Sequence, residues 1–259
     1  MSKTALITGA SGGIGLELSK IHASKGGDLV LVARSLNKLL AIKEELEKKH
    51  AIRVKIISKD LSIKDAALEV YQEIKKEKIQ IDYLINNAGF GDFGFFYETD
   101  WNKEEQMIQL NITCLTQFCK LYVKEMIAQG GGKIMNLASM AAFEPGPLMS
   151  VYYATKAYVL HFSEAIGNEL LDKGVTVTAL CPGPTESGFQ EVSAQQESKV
   201  IKGRKLTSAK IVAAYGYKAM LTGKPVAVQG ILNRLLVSLI GFFPRRFVVK
   251  AIRKIQDKA

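Results

Sequence analysis

Short apolar runs alternate with amphipathic helical stretches along most of the 259-residue chain, and this rhythm restricts the fold more than any other feature. Thr4–Thr8, Asp28–Ala33, Val54–Ile57, Tyr83–Ile85, Lys133–Leu137 and Val175–Leu180 read as strands. Helical patterns fill 13–25, 36–49, 63–77, 103–129 and 151–173. Strands alternating with helices at this spacing imply right-handed crossovers and a doubly wound, mostly parallel α/β sheet with helices on both faces. Ligands then bind at the carboxyl ends of the strands. The length suits one domain over 1–259, with no internal repeat beyond the βα rhythm. Past 207, Ser208 is placed to cap a helix running to about Met220, and Val226–Val228 to form a last edge strand.

Charge separates the end of the chain from its body. Of 35 Lys and Arg and 25 Asp and Glu, the stretch from Lys199 onward holds 14 basic residues and one acid, leaving 21 and 24 in residues 1–198. Such a tail draws anionic partners: an acidic carrier, a phosphorylated thioester, a membrane surface or nucleic acid. No nucleic-acid-binding motif accompanies it, so nucleic acid is not expected. No apolar run reaches the roughly 18 residues of a membrane span. Met1–Thr4 leads straight into strand-like sequence, and together with Cys114, Cys119 and Cys181 read as packing residues this points to the cytoplasm. The cysteines are too scattered for a metal site, and no metal is expected.

The first strand runs into Thr8-Gly9-Ala10-Ser11-Gly12-Gly13-Ile14-Gly15, with Leu16, Leu18 and Ile21 following at helical spacing. Glycines in a strand-to-helix turn let backbone approach a pyrophosphate, and the helix N-terminus offers free amides at its positive dipole end. Gly9, Ser11, Gly12, Gly13, Ile14 and Gly15 are therefore candidate phosphate contacts.

The spacing Gly9-x-x-x-Gly13-x-Gly15 resembles that of the short-chain dehydrogenase/reductase family, and further matches follow in order. Asp60-Leu61 looks like the family's adenine-contacting segment and Asn86-Asn87-Ala88-Gly89 its Asn-Asn-Ala-Gly signature. Asn111, Ser139, Tyr152 and Lys156 stand where the family has its catalytic residues. Pro182-Gly183 with Thr185 resembles the segment that contacts the nicotinamide carboxamide. The resemblance implies a Rossmann-like domain, a dinucleotide cofactor and a homo-oligomer formed through the helices of Asn111 and Tyr152. Where NAD-binding members carry an acid after the second strand, this chain has Ala33, followed by Arg34 and Ser35, and a guanidinium there suits the 2′-phosphate of NADP(H).

Positions i and i+4 share a helix face, so Tyr152 and Lys156 point into one cleft and Tyr153 does not. Tyr152 is expected to act as the general acid/base, its phenolate favoured by a nearby ammonium and by the positive nicotinamide of the oxidised cofactor. By resemblance Ser139 binds the substrate oxygen, Lys156 holds the nicotinamide ribose and Asn111 positions a water. Aromatic and apolar loops at 90–97 and 141–149 name Phe90, Phe93, Phe143 and Met149 as substrate contacts, while 186–206, with few apolar anchors, is a candidate lid. Residues 231–259 form a basic helical extension, amphipathic from Arg245 to Lys258. Its apolar face is expected to close the protein's own pocket or a subunit interface; peripheral membrane contact or docking of an acidic carrier are the alternatives.

The leading expectation is an NADPH-dependent reductase of hydrophobic ketones, aldehydes or keto esters. Reduction of a 3-oxoacyl thioester on a carrier protein or coenzyme A is the narrower enzymatic alternative. A non-catalytic NADP(H)-binding protein, membrane-associated or regulatory, is the alternative of another class, and the intact Ser139, Tyr152 and Lys156 stand against it.

Overall fold

The computed structural model describes residues 2–189, 193 and 206–257. Seven parallel strands form the central sheet in the order β3-β2-β1-β4-β5-β6-β9: β1 Thr4–Thr8, β2 Asp28–Ala33, β3 Val54–Ser58, β4 Tyr83–Asn86, β5 Gly132–Leu137, β6 Val175–Cys181 and, at the edge, β9 Val226–Val228. A two-residue pair, β7 Thr185–Glu186 with β8 Thr207–Ser208, lies outside the sheet and was not foreseen. Its brevity leaves no periodic signal to read.

The sheet is buried on both faces because successive side chains serve opposite cores. Leu6, Val30, Val32, Leu84 and Ile134 face α3 (Ala66–Lys76), α5 (Leu115–Ala128) and α6 (Ser150–Glu169). Ala5, Ile7, Leu29, Leu31, Ile85 and Met135 face α1 (Gly13–Ser24), α2 (Leu36–His50) and α7 (Ala209–Leu221), whose start is capped by Ser208 accepting from the Lys210 amide at 3.3 Å. The expected helix 103–129 is present as one helical run of three contiguous segments: α4 (Trp101–Ile108), a π-turn over Gln109–Cys114, and α5. The expected helix 151–173 ends at Glu169 and hands over to a 3-10 turn, Leu171–Lys173. Two further helices, α8 (Ile231–Ile240) and α9 (Arg245–Gln256), form the basic extension.

Strand order reverses between β1 and β4, so the loops leaving these two strands diverge and open a crevice above their carboxyl ends. All three cysteines are buried, and burial pushes each thiol up to about 12, which keeps them inert.

On the far side, α1 is fixed to α7 by buried His22. Its Nε2 lies 2.9 Å from the Lys3 carbonyl oxygen, which can only accept, so the proton is on Nε2 and Nδ1 accepts from the Tyr217 hydroxyl at 2.8 Å. Burial holds the imidazole below its usual pKa, so the unfolded chain takes up the proton first. Stability is therefore expected to fall as pH drops below about 6.5. Tyr217→Phe, which leaves Nδ1 buried without a donor, is expected to cost about 1–2 kcal/mol at pH 7.5. Thermal melts at pH 7.5 and 5.5 check both, and a Tyr217→Phe midpoint equal to the parent's at pH 7.5 contradicts the assignment.

Candidate active site

A cleft of about 1040 Å³ runs along the carboxyl ends of the strands, large enough for a dinucleotide and a second molecule together. Its floor begins with the turn after β1. Gly9 and Gly13 adopt φ of +65° and +52°, a region that disfavours any side chain. Gly12 is extended and has nothing within 4 Å of where a Cβ would stand, so the turn is open towards the cleft. No side chain caps α1 and no acid lies in its first turn, leaving its first amides free for an anion. Gly15, expected among the ligand contacts, does not line the cleft. A Cβ there would come within 2.4 Å of the Gly9 carbonyl oxygen and 2.5 Å of Asn87 Nδ2; its place is to let the turn close on the loop after β4.

That loop is laced to the first. The Thr8 hydroxyl accepts from the amides of Asn87 and Ala88, both at 3.0 Å, and Asn87 Nδ2 donates to the carbonyls of Thr8 and Gly9 at 2.9 and 3.2 Å. Ser11, Ile14, Asn87, Ala88 and Gly89 all line the cleft as expected. At the end of β2, Arg34 and Ser35 line it too, joined by Lys38 and Lys59, which sequence reasoning missed. Ser35 precedes α2 without making a side-chain cap, and its hydroxyl faces the same cationic corner. Asp60 stands opposite. Burial works to raise its carboxyl, but two hydrogen bonds from Ser62 and the charge of Arg34 outweigh it and hold the group below the ordinary carboxylate range. Leu61 lines the cleft after Asp60, while Pro182, Gly183 and Thr185 line it beyond β6, the Pro182 carbonyl accepting from the Met140 amide at 3.0 Å.

Ser139, Tyr152 and Lys156 converge in the other half. Lys156 is 4% exposed, donates to the Leu137 carbonyl at 2.6 Å, and holds its Nζ 5.8 Å from the Tyr152 ring centre. Ser139 accepts from the Ala141 amide at 3.1 Å, capping the 3-10 turn Met140–Phe143, which leaves its own proton to donate. Burial of the side chain opposes the expected bias of Tyr152 towards phenolate, which rests also on the positive nicotinamide of an oxidised cofactor. Burial raises the Tyr152 hydroxyl to about 12, against the opposing contact with Ser139, and lowers Lys156 to about 8. Both groups lose water, and both are pushed towards neutrality. The protein alone thus holds Tyr152 as a proton donor.

Asn111 is 1% exposed and does not line the cleft. From the π-turn its amide donates to the Phe90 carbonyl and the Thr155 hydroxyl, both at 3.0 Å, and its oxygen accepts from the Phe90 amide at 3.3 Å. The side chain braces the loop after β4 with both of its amide hydrogens, and its oxygen, which keeps a second lone pair, stands over Gly89.

Of the expected substrate contacts, Phe90 and Met149 line the cleft. Phe93 packs on Ala141, Met149 and Tyr153, all three of which line the cleft, and Phe143 on the main core. Phe189, a lone aromatic with no periodic signal, stands 5.2 Å from Tyr152 between ring centres. The rest of the candidate lid 186–206, other than 186–189, 193 and 206, falls outside the described residues. Helices α8 and α9 form a further wall with Leu236, Ile240, Phe243, Val248 and Ile252, so the extension does close the protein's own pocket. Glu144 was also missed: it lines the same region beside Tyr153, and burial raises it to about 7.

A sequence model of the family described as short chain dehydrogenase matches residues 3–198. Among curated proteins the chain is 37% identical over 186 residues to 17-beta-hydroxysteroid dehydrogenase type 3 of Mus musculus, covering 70% of this chain and 60% of that protein. It is 31% identical over 188 residues to very-long-chain 3-oxoacyl-CoA reductase-A of Danio rerio, covering 70% and 58%. The chain thus spans about 60% of the length of the mouse relative. Among solved structures, a short-chain dehydrogenase from Sphingobium yanoikuyae in complex with NADPH superposes with a TM-score of 0.83 at 28% identity, covering 93% of this chain and 96% of that one.

Two substitutions test the geometry. Gly15→Ala is expected to destabilise the fold by about 2–4 kcal/mol, because backbone carbonyl and loop must both move; urea unfolding reads this, and a cost under 1 kcal/mol contradicts it. For Glu144, whose folded-state pKa lies above its ordinary value of 4.5, ionisation opposes folding. Its penalty is absent below about pH 4.5, grows up to about pH 7 and is then constant. Glu144→Gln is expected to gain on the order of 1–2 kcal/mol at pH 8, after discounting for partial solvent contact, and nothing at pH 4.5.

Proposed function

The chain belongs to the short-chain dehydrogenase family, and from that premise we propose that it uses NADPH to interconvert a hydrophobic ketone, aldehyde or keto ester with its alcohol. One observation carries this reading: Ser139, Tyr152 and Lys156 meet in a cleft whose other end is lined by Arg34, Ser35 and Lys38. A relative in the same fold carries NADPH, the mouse relative is named for a hydroxysteroid and the zebrafish relative for a 3-oxoacyl-CoA.

The residues present fit the dinucleotide. The open turn Gly9–Gly13 and the uncapped start of α1 would take the pyrophosphate, and Arg34, Ser35 and Lys38 the 2′-phosphate. Asp60 and Leu61 would flank the adenine, Asn87–Gly89 and Lys156 the riboses, and Pro182, Gly183 and Thr185 the carboxamide. Bound NADPH supplies hydride to the carbonyl carbon. Ser139, whose hydroxyl meets that of Tyr152, donates a hydrogen bond to the carbonyl oxygen, stabilising the charge that develops there. Tyr152, whose hydroxyl burial raises further above its ordinary value, delivers its proton to that oxygen. Lys156, lowered to about 8, stabilises the tyrosinate left behind and is suited to exchange a proton near neutral pH. Asn111 acts through the Phe90 backbone, fixing one wall.

A narrower reading, reduction of a 3-oxoacyl thioester, is favoured by the basic residues of α9 next to the cleft. Turnover of free keto esters against the matching coenzyme A and carrier-bound thioesters separates the two; strong preference for the bound form would replace the general reductase.

Tyr152→Phe is expected to lower kcat/KM for NADPH-dependent carbonyl reduction by about 10²–10⁴-fold while a fluorescence titration of NADPH is unchanged. Equal turnover in the variant would make the mechanism wrong, and titration without turnover by the parent on any carbonyl would indicate a binding protein. Arg34→Ala is expected to weaken NADPH binding about 10–100-fold and leave NADH nearly unaffected. Reduction is expected to decline as pH rises through about 8, where Lys156 loses its proton.

A further inference from the structure

Helix α8 spends one face on the cleft and leaves another bare. Asn233, Leu236 and Ile240, at i, i+3 and i+7, line the cleft, and Val237 packs on the core. Arg234 and Ser238 form a polar edge. Between the cleft side and that edge, Leu232, Leu235, Leu239 and Phe242 recur at i, i+3, i+7 and i+10 and face outward; Leu232 is 68% and Phe242 84% exposed. No residue of α8 is buried. A continuous stripe of this kind on a protein surface marks a place where something apolar is met.

Neighbouring groups indicate what. Arg234, Arg245, Arg246, Lys250 and Lys254 are exposed, and none forms an ion pair among the described residues. Arg253, the one basic residue of α9 that is paired, meets Asp257 and also lies 4.8 Å from the centre of the Phe95 ring. That contact ties α9 to a second exposed apolar loop, where Phe96 is 66% and Tyr97 78% exposed. Apolar side chains with unpaired cations and exposed aromatics around them match the boundary of an anionic bilayer, where hydrocarbon meets phosphate. A second copy of the chain fits poorly, because a two-fold interface on this face would bring the same unpaired cations together. Helices of 10 and 12 residues, about 15 and 18 Å long, fall short of a hydrocarbon core of about 30 Å, so they lie on a bilayer and do not span it.

We propose that the outward stripe of α8 and the turn after it dock this protein onto an anionic lipid surface, and that its carbonyl substrate enters the cleft from the lipid. The second half rests on the reductase reading above; the first does not. Leu236, Phe243 and Phe247 are at once exposed and part of the cleft wall, so the docked face and the mouth of the site are continuous.

The test is sedimentation of the full chain with vesicles of phosphatidylcholine alone or mixed with phosphatidylglycerol, at low and high salt. Binding is expected to the mixed vesicles and to weaken with salt. The pair Leu235→Asp and Phe242→Asp, neither of which lines the cleft, is expected to lower partitioning at least about tenfold. The same variant should keep the parent's NADPH titration and its turnover of a water-soluble carbonyl, and lose turnover of a vesicle-dissolved one. A parent chain that stays in the supernatant with mixed vesicles overturns the proposal. So does sedimentation that the pair leaves unchanged, or a concentration-dependent dimer that the pair dissolves without any vesicle binding. Vesicle binding that the pair abolishes, with equal turnover of both carbonyls by parent and variant, keeps the docking and overturns entry from the lipid.

Discussion

The site depends on the seam between the loops that leave β1 and β4. Because strand order reverses there, those loops would part, and the Thr8 hydroxyl and Asn87 amide draw them back together with four hydrogen bonds. The seam closes only because Gly15 has no Cβ to place against the Gly9 carbonyl. Its closure sets how wide the phosphate turn opens. It also fixes the position of Gly89, where a Cβ would be 2.9 Å from Asn111 Oδ1 and 3.4 Å from Lys156 Nζ. One set of backbone contacts therefore governs both the anion cradle and the proton-handling end of the cleft.

Around that seam the protein places ionisable groups where water is scarce and lets burial set their charge. Tyr152 is raised and Lys156 lowered, so the two approach a state in which neither is charged. Glu144 is raised in the same way, and in the region walled by α8 and α9 it is a carboxyl amid apolar and neutral polar groups. The other end of the cleft is the reverse: Arg34 and Lys38 are exposed there, and Lys59 beside them is paired with Glu69. A cleft cationic at one end and dry at the other suits a phosphorylated cofactor meeting an apolar carbonyl.

Much of this was legible in the chain itself. β1, β2 and β9 begin and end where alternation and composition put them, and Ser208 caps its helix, because buried parallel strands and helix starts are written in consecutive residues. The placing of Tyr152 and Lys156 in one cleft followed from helical spacing alone. The positions hardest to read are those whose surroundings come from elsewhere in the chain. Asn111 reaches the Phe90 backbone from its π-turn, and Phe93 and Phe143 pack against side chains distant in sequence.

The fold class, the glycine turn, the pairing of Tyr152 with Lys156 on α6 and the basic, amphipathic character of the last helices could all be read from consecutive residues, since each is a local pattern with a local physical cause. Only the folded chain shows that Gly15 spaces two loops, that burial raises the Tyr152 hydroxyl, that Glu144 and Phe189 share its cleft, and that α8 turns one face to the site and another to the outside. Those outcomes depend on which distant surfaces exclude water from a side chain, and desolvation is a property of neighbours that no stretch of sequence carries.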